Sequence, residues 1–387
     1  MKVGLVLTQP PTYSETFFLS KIKGLQQKGI DVILFVQKQP SSFTLCLVKV
    51  APPVYKRNIF LQSFFFLIVF IKLIPYIKRV LTFIKLERKS NRSSLQIMKN
   101  IYNNAHFLSA DLDWLHFGFT TLAVQSENVA RSLNAKMAIS LRGFDIDIYP
   151  LKKPKDYELI WRRVDKVHSI SKYLIRKAHH LGLPKVTDYQ IITPAIDIAD
   201  FTIKEKTYNS PIELLTVARL HWIKGLIPTL EALAILKSYG RMFNYTIIGD
   251  GQEYGPIVFA IHQLGLKDQV TLTGKLAHDK IVQYYQKANI YIQYSESEGF
   301  CNAVLEAQAM GLLCIVSDGG GLIENVLHNE TGWIVEKRNP DALAKCIEEV
   351  INLPFDRKDM ITKNAINRVE DQLSIISQQE QFFKFYE

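Results

Sequence analysis

The chain has 387 residues, 48 % of them hydrophobic, with 47 Lys and Arg against 37 Asp and Glu and a formal net charge of +10. That length suits two domains, and that apolar content excludes global disorder. Four scattered cysteines, Cys46, Cys301, Cys314 and Cys346, match neither a disulfide framework nor a zinc spacing, so packing in a reducing compartment is the expected role. Met1 and Lys2 lead straight into the apolar run VGLVL with no secretory pattern, which points to the cytoplasm.

Charge is uneven along the chain. Residues 1–204 carry 30 Lys and Arg against 14 Asp and Glu, and residues 205–387 carry 17 against 23. A basic half facing an anionic partner is the physical reading: a membrane surface, a phosphorylated acceptor or nucleic acid. No nucleic-acid motif accompanies it, so nucleic acid is not expected.

In the first half, β-rich runs fall at 3–7, 32–36, 114–117, 137–141 and 166–170, with helical patterns between. In the second they fall at 213–217, 245–248, 270–273, 290–293 and 313–316. Such alternation predicts parallel sheets covered by helices on both faces. The polar stretch KEKTYNSP at 204–211 reads as a linker between domains 1–204 and 205–387, two Rossmann-like domains with a cleft between them. Ligands of such folds meet the carboxyl ends of strands. The last segment, 357–387, reads as helical without a motif, and its final helix has the option of packing on the first domain.

Along the first half, Ser14 and Glu15 follow the first strand; Ser14 suits a helix N-cap, and both are candidates for acceptor contact. Residues 59–86, IFLQSFFFLIVFIKLIPYIKRVLTFIKL, have an uninterrupted apolar core at 64–71, short of the roughly 20 residues a spanning helix needs. Two readings stand: an interfacial helix on anionic lipid, or a buried helix with snorkelling lysines. His116, at the end of a strand, suits a sugar hydroxyl or a structural hydrogen bond. Arg142-Gly143-Phe144-Asp145 follows the run at 137–141; Arg142 suits diphosphate or sugar oxygens, and Asp145 is a candidate for acceptor contact. Two D-x-D strings, at 111–113 and 145–147, read as strand-edge and loop aspartates rather than metal ligands.

In the second half, Arg219 and Lys224 follow the run at 213–217, where both suit phosphate oxygens. Gly249, Asp250 and Gly251 follow the next, as a close approach to ligand or a turn. Lys275 after Gly274 is a candidate for the base pocket. Residues 298–311, EGFCNAVLEAQAMG, place Glu298 in a loop and Glu306 one turn inside a helix with Asn302 as its N-cap. A helix N-terminus suits a diphosphate or sugar hydroxyls, and each carboxylate can take a pair of hydroxyls, one on a ribose and one on a sugar. SDGGGLIENV then supplies Gly320, Gly321 and Glu324.

The ordered set VARL…KG, IIGDG, EGF-x-N-x-x-x-E-A-x-A-x-G, GG-x-x-E and TGW resembles glycosyltransferase family 4, retaining enzymes of the GT-B fold. The likeness is dense over residues 212–340 and looser before. It implies that Glu306 binds the ribose, Glu298 the donor sugar, Arg219 and Lys224 the diphosphate, and Gly299, Phe300, Cys301 and Asn302 the sugar. Ser14-Glu15-Thr16-Phe17 resembles the start of exopolysaccharide and colanic-acid-type members. Many members carry His-Gly where this chain has Arg142-Gly143. Arg only donates, so a general base is not available there. The family's front-face transfer, in which the leaving phosphate takes the acceptor proton, implies that none is required. The expectation is thus a metal-independent hexosyltransferase that needs no cofactor beyond its UDP- or GDP-sugar. It would act on a growing, lipid-linked glycan in the cytoplasm or on the inner face of the cell membrane. Competing readings are an epimerase of the same fold, an NAD-dependent Rossmann oxidoreductase, which lacks its G-x-G-x-x-G here, and a non-catalytic sugar-nucleotide-binding relative.

Overall fold

Two sheets, each with all strands parallel, carry the chain in a computed structural model that describes residues 1–11, 16–38, 43–55, 57–198, 201 and 206–387. The first holds β1 (Lys2–Val6), β2 (Asp31–Val36), β3 (Leu47–Val50), β4 (Trp114–Phe117), β5 (Lys136–Leu141), β6 (Lys166–Ser169) and β7 (Asp188–Ile191), in the order β3-β2-β1-β4-β5-β6-β7. The second holds β8 (Ile212–Val217), β9 (Phe243–Ile248), β10 (Val270–Gly274), β11 (Ile290–Gln293), β12 (Leu313–Ser317) and β13 (Trp333–Val335), in the order β10-β9-β8-β11-β12-β13. Each order reverses direction once, between β1 and β4 and between β8 and β11. Those reversals are where open α/β sheets leave a crevice at the strands' carboxyl ends.

All ten strand-like runs of the sequence are strands. Central strands are buried on both faces, so they read as continuous apolar runs: β5 is buried from Met137 to Leu141, and β11 and β12 throughout. Three strands have no such run: β3 (LVKV), β7 (DYQI) and β13 (WIV). Each lies at a sheet edge, where one side lacks a neighbour and polar residues are tolerated.

The chain divides into two compact units. Unit 1 comprises Met1–Ile170, Leu174–Ile192 and Gln379–Glu387; unit 2 comprises Ser171–Tyr173 and Thr193–Gln378. A boundary at 204/205 lies beyond the change at Ile192/Thr193, inside unit 2. Helices of unit 1 include α1 (Thr16–Gln27), α2 (Ile59–Leu73), α3 (Ile77–Lys89) and α4 (Ser94–Asn103). Those of unit 2 include α5 (Leu226–Ser238), α6 (Asn302–Ala309), α7 (Pro340–Asn352) and α8 (Phe355–Gln372). The last helix, α9 (Ile375–Tyr386), joins unit 1 from Gln379 onward, where Phe382, Phe385 and Tyr386 are buried in the first core. The second core gathers Leu230, Leu233, Tyr245, Ile247, Ile292, Ile315 and Leu343, each fully buried. Burying one such aliphatic side chain contributes roughly 1.5–3 kcal/mol.

Helices α2 and α3 form one helical run, Ile59–Lys89, interrupted by the 3-10 turn Ile74–Tyr76 at Pro75. Its 31 residues are long and apolar enough, by length and composition, to cross a membrane. One face packs on unit 1 through Val69, Leu73, Val80, Phe83 and Glu87. The buried-helix reading therefore describes one face only.

Candidate functional site

The second sheet presents its loops at the carboxyl ends of β8, β9, β11 and β12. After β8 the chain turns through Trp222–Lys224, a 3-10 turn capped by the His221 ring, which accepts from the Ile223 N–H. Gly225 follows with φ +63°, and a Cβ there would stand 1.9 Å from the Tyr294 carbonyl oxygen. Only glycine lets this turn press against the end of β11, and that contact delivers Lys224 to the loop after β11.

In that loop the Lys224 ammonium donates to Glu298 Oε1 in a short ion pair, and Ser295 Oγ donates to the same oxygen at 3.0 Å. Both charged side chains are 14 % exposed, so the pair is largely out of water yet reachable. Burial pulls the Lys224 pKa down, but the Glu298 carboxylate outweighs it and the net shift is upward. The ammonium therefore stays charged at neutral pH. It has three donors, and Glu298 takes one. Arg219, exposed beyond the end of β8, adds a second cation close enough to oppose the Lys224 charge.

The loop after β12 closes the other side of the Glu298 segment. The Gly321 N–H donates to the Glu298 carbonyl at 2.6 Å, and the Glu298 N–H to the Gly319 carbonyl at 3.2 Å. A Cβ on Gly321 would lie 2.0 Å from the Gly299 oxygen, so this glycine run is a packed backbone clasp rather than a flexible turn.

Helix α6 begins one residue earlier than the sequence suggests. Its N-cap is Cys301, with no side-chain cap, and Asn302 is the first helical residue, exposed. Cys301 is fixed by Asn325, whose side chain accepts from its N–H and donates to its carbonyl, both at 3.0 Å. Burial pushes the Cys301 thiol up to about 12, so it is neutral and takes no ionic part. Phe300 is buried and Gly299 lies beneath it in the same closed loop. The helix ends at Ala309 with Met310 as its C-cap, and Gly311 follows at φ +70°.

Glu306 sits one turn inside α6, 19 % exposed at its side chain. Tyr285 OH donates to Oε2 at 2.9 Å, and the His278 ring stands 3.9 Å from Oε1. Burial raises the Glu306 pKa, with the Tyr285 hydrogen bond and His278 acting the other way. Tyr285, His278 and Ser295 carry no motif of their own. Ser295, three residues before Glu298 in the same loop, is the one the spacing exposes.

Gly249 and Gly251 have a different reason from ligand approach. A Cβ on Gly249 would meet the Ala218 oxygen at 1.8 Å, and one on Gly251 the Leu220 oxygen at 2.3 Å. They let the loop after β9 lie against the loop after β8, where the Leu220 N–H donates to the Asp250 carbonyl at 3.0 Å. Their effect is to brace the segment carrying Arg219. Asp250 folds its own carboxylate back onto the Gly251 N–H at 2.7 Å. Lys275 is exposed just after β10.

The candidates of unit 1 separate from these. His116, in β4, is fully buried, which corrects the expectation that it meets a sugar. Its hydrogen bonds form a directed chain. His168 Nε2 faces the Ile192 carbonyl at 3.0 Å and must donate, so His168 Nδ1 accepts from Ser140 Oγ at 2.8 Å. Ser140 then accepts from His116 Nε2 at 2.8 Å, and His116 Nδ1 accepts from Tyr386 OH at 2.6 Å, with Lys21 Nζ at 3.2 Å. Burial holds both imidazoles well below the usual histidine range. This chain fastens α9 to the first sheet.

Asp145 is likewise buried, which corrects its assignment to acceptor binding. Thr121 donates to its Oδ1 through Oγ1 at 2.9 Å, and burial pushes its carboxyl up to about 6. Arg142 lies half-buried with its guanidinium over Phe17, Phe18 and Phe119, 4.5–5.3 Å from their ring centres, and its Nε donates to the Gly118 carbonyl. Of the D-x-D aspartates, Asp111 pairs with Arg79, Asp113 accepts from the Lys2 N–H, and Asp147 pairs with Lys177. Ser14 and Glu15 lie outside the described residues.

Comparison with known proteins agrees with this arrangement. Residues 197–368 match the family model "Glycosyl transferases group 1". The chain is 29 % identical over 261 residues to the amylovoran biosynthesis glycosyltransferase AmsK of Erwinia amylovora, covering 65 % of this chain and 64 % of that enzyme. It is 25 % identical to the putative colanic acid biosynthesis glycosyltransferase WcaL of Escherichia coli, across 96 % of this chain and 95 % of the relative. In three dimensions it superposes on Anabaena HepE, solved with UDP-glucose, with a TM-score of 0.72 and 15 % identity, covering 99 % and 98 % of the two chains. The fold is GT-B, and the likeness to the group 1 glycosyl transferase model is confined to residues 197–368. Both of those sequence relatives are named as glycosyltransferases of polysaccharide biosynthesis, and this chain spans 64 % of the first and 95 % of the second.

Proposed function

We propose that the chain is a retaining, metal-independent hexosyltransferase of cell-surface polysaccharide biosynthesis, working on the cytoplasmic side of the membrane. It moves a sugar from a UDP- or GDP-sugar to a growing, lipid-linked glycan. The observation that carries this reading is the Lys224–Glu298 pair beside the uncapped start of α6, with Glu306 one turn further on. In this reading Glu306 takes the ribose hydroxyls and Glu298 the donor sugar. Lys224 and Arg219 take the diphosphate, helped by the N–H groups that open α6.

As the anomeric C–O bond breaks, its electron pair goes to the leaving phosphate, where charge grows. Fixed cations aimed at growing charge stabilise the transition state by several kcal/mol. The acceptor hydroxyl attacks from the same face, and a leaving phosphate oxygen takes its proton. That balance needs no side-chain base, so Arg142 in place of histidine is compatible with turnover. A cavity of about 500 Å³ at the carboxyl ends of β1 and β2, lined by Val6, Leu7, Gln37, Thr121 and Gln125 among others, is the proposed acceptor pocket of unit 1.

The test is turnover. Full-length protein is incubated with a panel of UDP- and GDP-sugars and a polyprenyl-diphosphate-linked saccharide, with and without EDTA. Nucleoside diphosphate release, a product of retained anomeric configuration and insensitivity to EDTA are expected. An inverted product would sink the retaining mechanism. Loss of activity in EDTA would sink metal independence. Donor binding without turnover on every acceptor would replace the enzyme with a sugar-nucleotide-binding protein.

A further inference from the structure

The helical run α2–α3 has two faces of opposite character. Its inner residues Val69, Leu73, Val80, Phe83 and Glu87 recur at helical spacing and are buried. At 100° per residue the opposite face carries Phe60, Phe64, Leu67, Ile71, Ile74 and Leu81, a 4-3-4-3 stripe with one turn left out. All six are exposed, from 55 % at Ile71 to 86 % at Phe60. Lys78, exposed, occupies the turn left out, and Lys85 follows Leu81 on the same line. Arg88 and Lys89 are exposed beside it, while Lys72 lies toward the inner side, where it lines a cavity. A stripe of this size, apolar toward one end and cationic toward the other, is not left in water without a partner.

Charge decides which partner. Between Arg57 and Lys89 the sequence has one acidic residue, Glu87, and it is fully buried. There it holds Arg92 in a two-bonded ion pair and accepts from Asn100 and Asn128. A second copy docked on the same stripe would set lysines against lysines with no carboxylate between them. Anionic headgroups above a hydrocarbon layer match both parts of the stripe.

Geometry decides how. The charge-free stretch 59–71 is 13 residues, about 20 Å at 1.5 Å per residue, against roughly 30 Å of hydrocarbon. Spanning would also tear the inner face, with the Glu87 network, from unit 1. We propose that the outer stripe of α2–α3 is a docking surface for an anionic lipid bilayer, on which the helix lies in the plane of the interface. Its inner side lines a cavity that shares Ala51, Pro52 and His106 with the one at the ends of β1 and β2, so the bilayer would stand one helix away from that cavity. The inference rests on this surface alone and does not need the transferase reading.

The experiment is flotation of the full chain with vesicles of phosphatidylethanolamine and phosphatidylglycerol, and with vesicles of phosphatidylcholine alone. Two variants accompany it, K78E/K85E/K89E and F64S/L67S/I71S, at positions on or beside the outer stripe. Wild type should float with the anionic vesicles and be released by salt or alkaline carbonate. The charge variant should bind on the order of 100-fold more weakly, at about a factor of five or more per basic residue. The serine variant should bind at least about tenfold more weakly. Equal binding to both vesicle types, or by wild type and both variants, overturns the proposal. So does resistance to carbonate, which marks a spanning helix, or a dimer abolished by the serine variant without any vesicle binding. If the serine variant does not fold, the charge variant alone decides. A thermal shift by nucleotide-sugar, measured on the same variants, reads the donor site separately.

Discussion

Each unit places a histidine or acid that looks catalytic at the strands beside its sheet reversal, and the two units treat these groups in opposite ways. In unit 1, His116 and Asp145 are sealed in the core, their bonds taken by Tyr386, Ser140 and Thr121. In unit 2, Lys224, Glu298 and Glu306 are held by one or two neighbours each and keep 14–19 % of their side chains open. A polar residue at a strand's end is a site only if a ligand can reach it: Asp145 Oδ2 has no partner, yet the residue is 1 % exposed. In unit 1 these two groups are sealed; in unit 2 the three remain reachable.

That contrast is broken first by Lys224→Ala. Loss of a preorganised cation is expected to lower kcat by roughly 10²–10³-fold. Steady-state kinetics on the folded variant would show it, and the stranded Glu298 carboxylate should lower urea stability as well. Full turnover in the folded variant would make the pair structural instead.

His116→Ala should do the reverse. It strands Tyr386 OH, Ser140 and Lys21 in the core, which costs roughly 2–4 kcal/mol. Urea unfolding followed by tryptophan fluorescence measures this, and affinity for nucleotide-sugar in the folded fraction should stay as in wild type. A variant of normal stability with no turnover would return His116 to the reaction.

Asp145 adds a pH signature. Its carboxyl is held at about 6, above the ordinary 3.8, chiefly by burial. A raised carboxyl pKa means the fold prefers the protonated form. The stability it contributes is complete below the ordinary pKa and is lost as pH rises through about 6. Ionisation thus costs on the order of 2–3 kcal/mol by pH 7. Asp145→Asn should flatten the decline in urea stability between pH 4 and pH 7, and parallel profiles for variant and wild type would contradict the assignment. The smallest effect belongs to Tyr285→Phe. It removes one hydrogen bond to Glu306, about 1 kcal/mol, and should weaken donor binding a few-fold by calorimetry.

Much of this was legible in the sequence because parallel strands buried on both faces write themselves as apolar runs. The edge strands were not: β3 and β7 admit Lys49, Asp188 and Gln190 on their half-open sides, and β13 is apolar but only three residues long. The donor loop was legible because Glu298, the start of α6 and Glu306 are local in sequence. The partners that hold them were not: Tyr285 and His278 arrive from a different helix, and only the fold brings them in. Gly249 and Gly251 were legible as points of close approach, but the fold alone shows that the backbone of Ala218 and Leu220 lies against them. His116 was misplaced because strand position alone cannot report that Tyr386, 270 residues away, covers it.

The central claim is that Lys224, Glu298 and Glu306 form a nucleotide-sugar site. Thermal unfolding of the full chain with a panel of UDP- and GDP-sugars and their nucleoside diphosphates tests it most directly. At least one compound should raise the midpoint by several degrees, and Lys224→Ala or Glu306→Ala should remove most of that rise. A wild-type chain indifferent to every UDP and GDP compound, or variants that respond as wild type does, would contradict it.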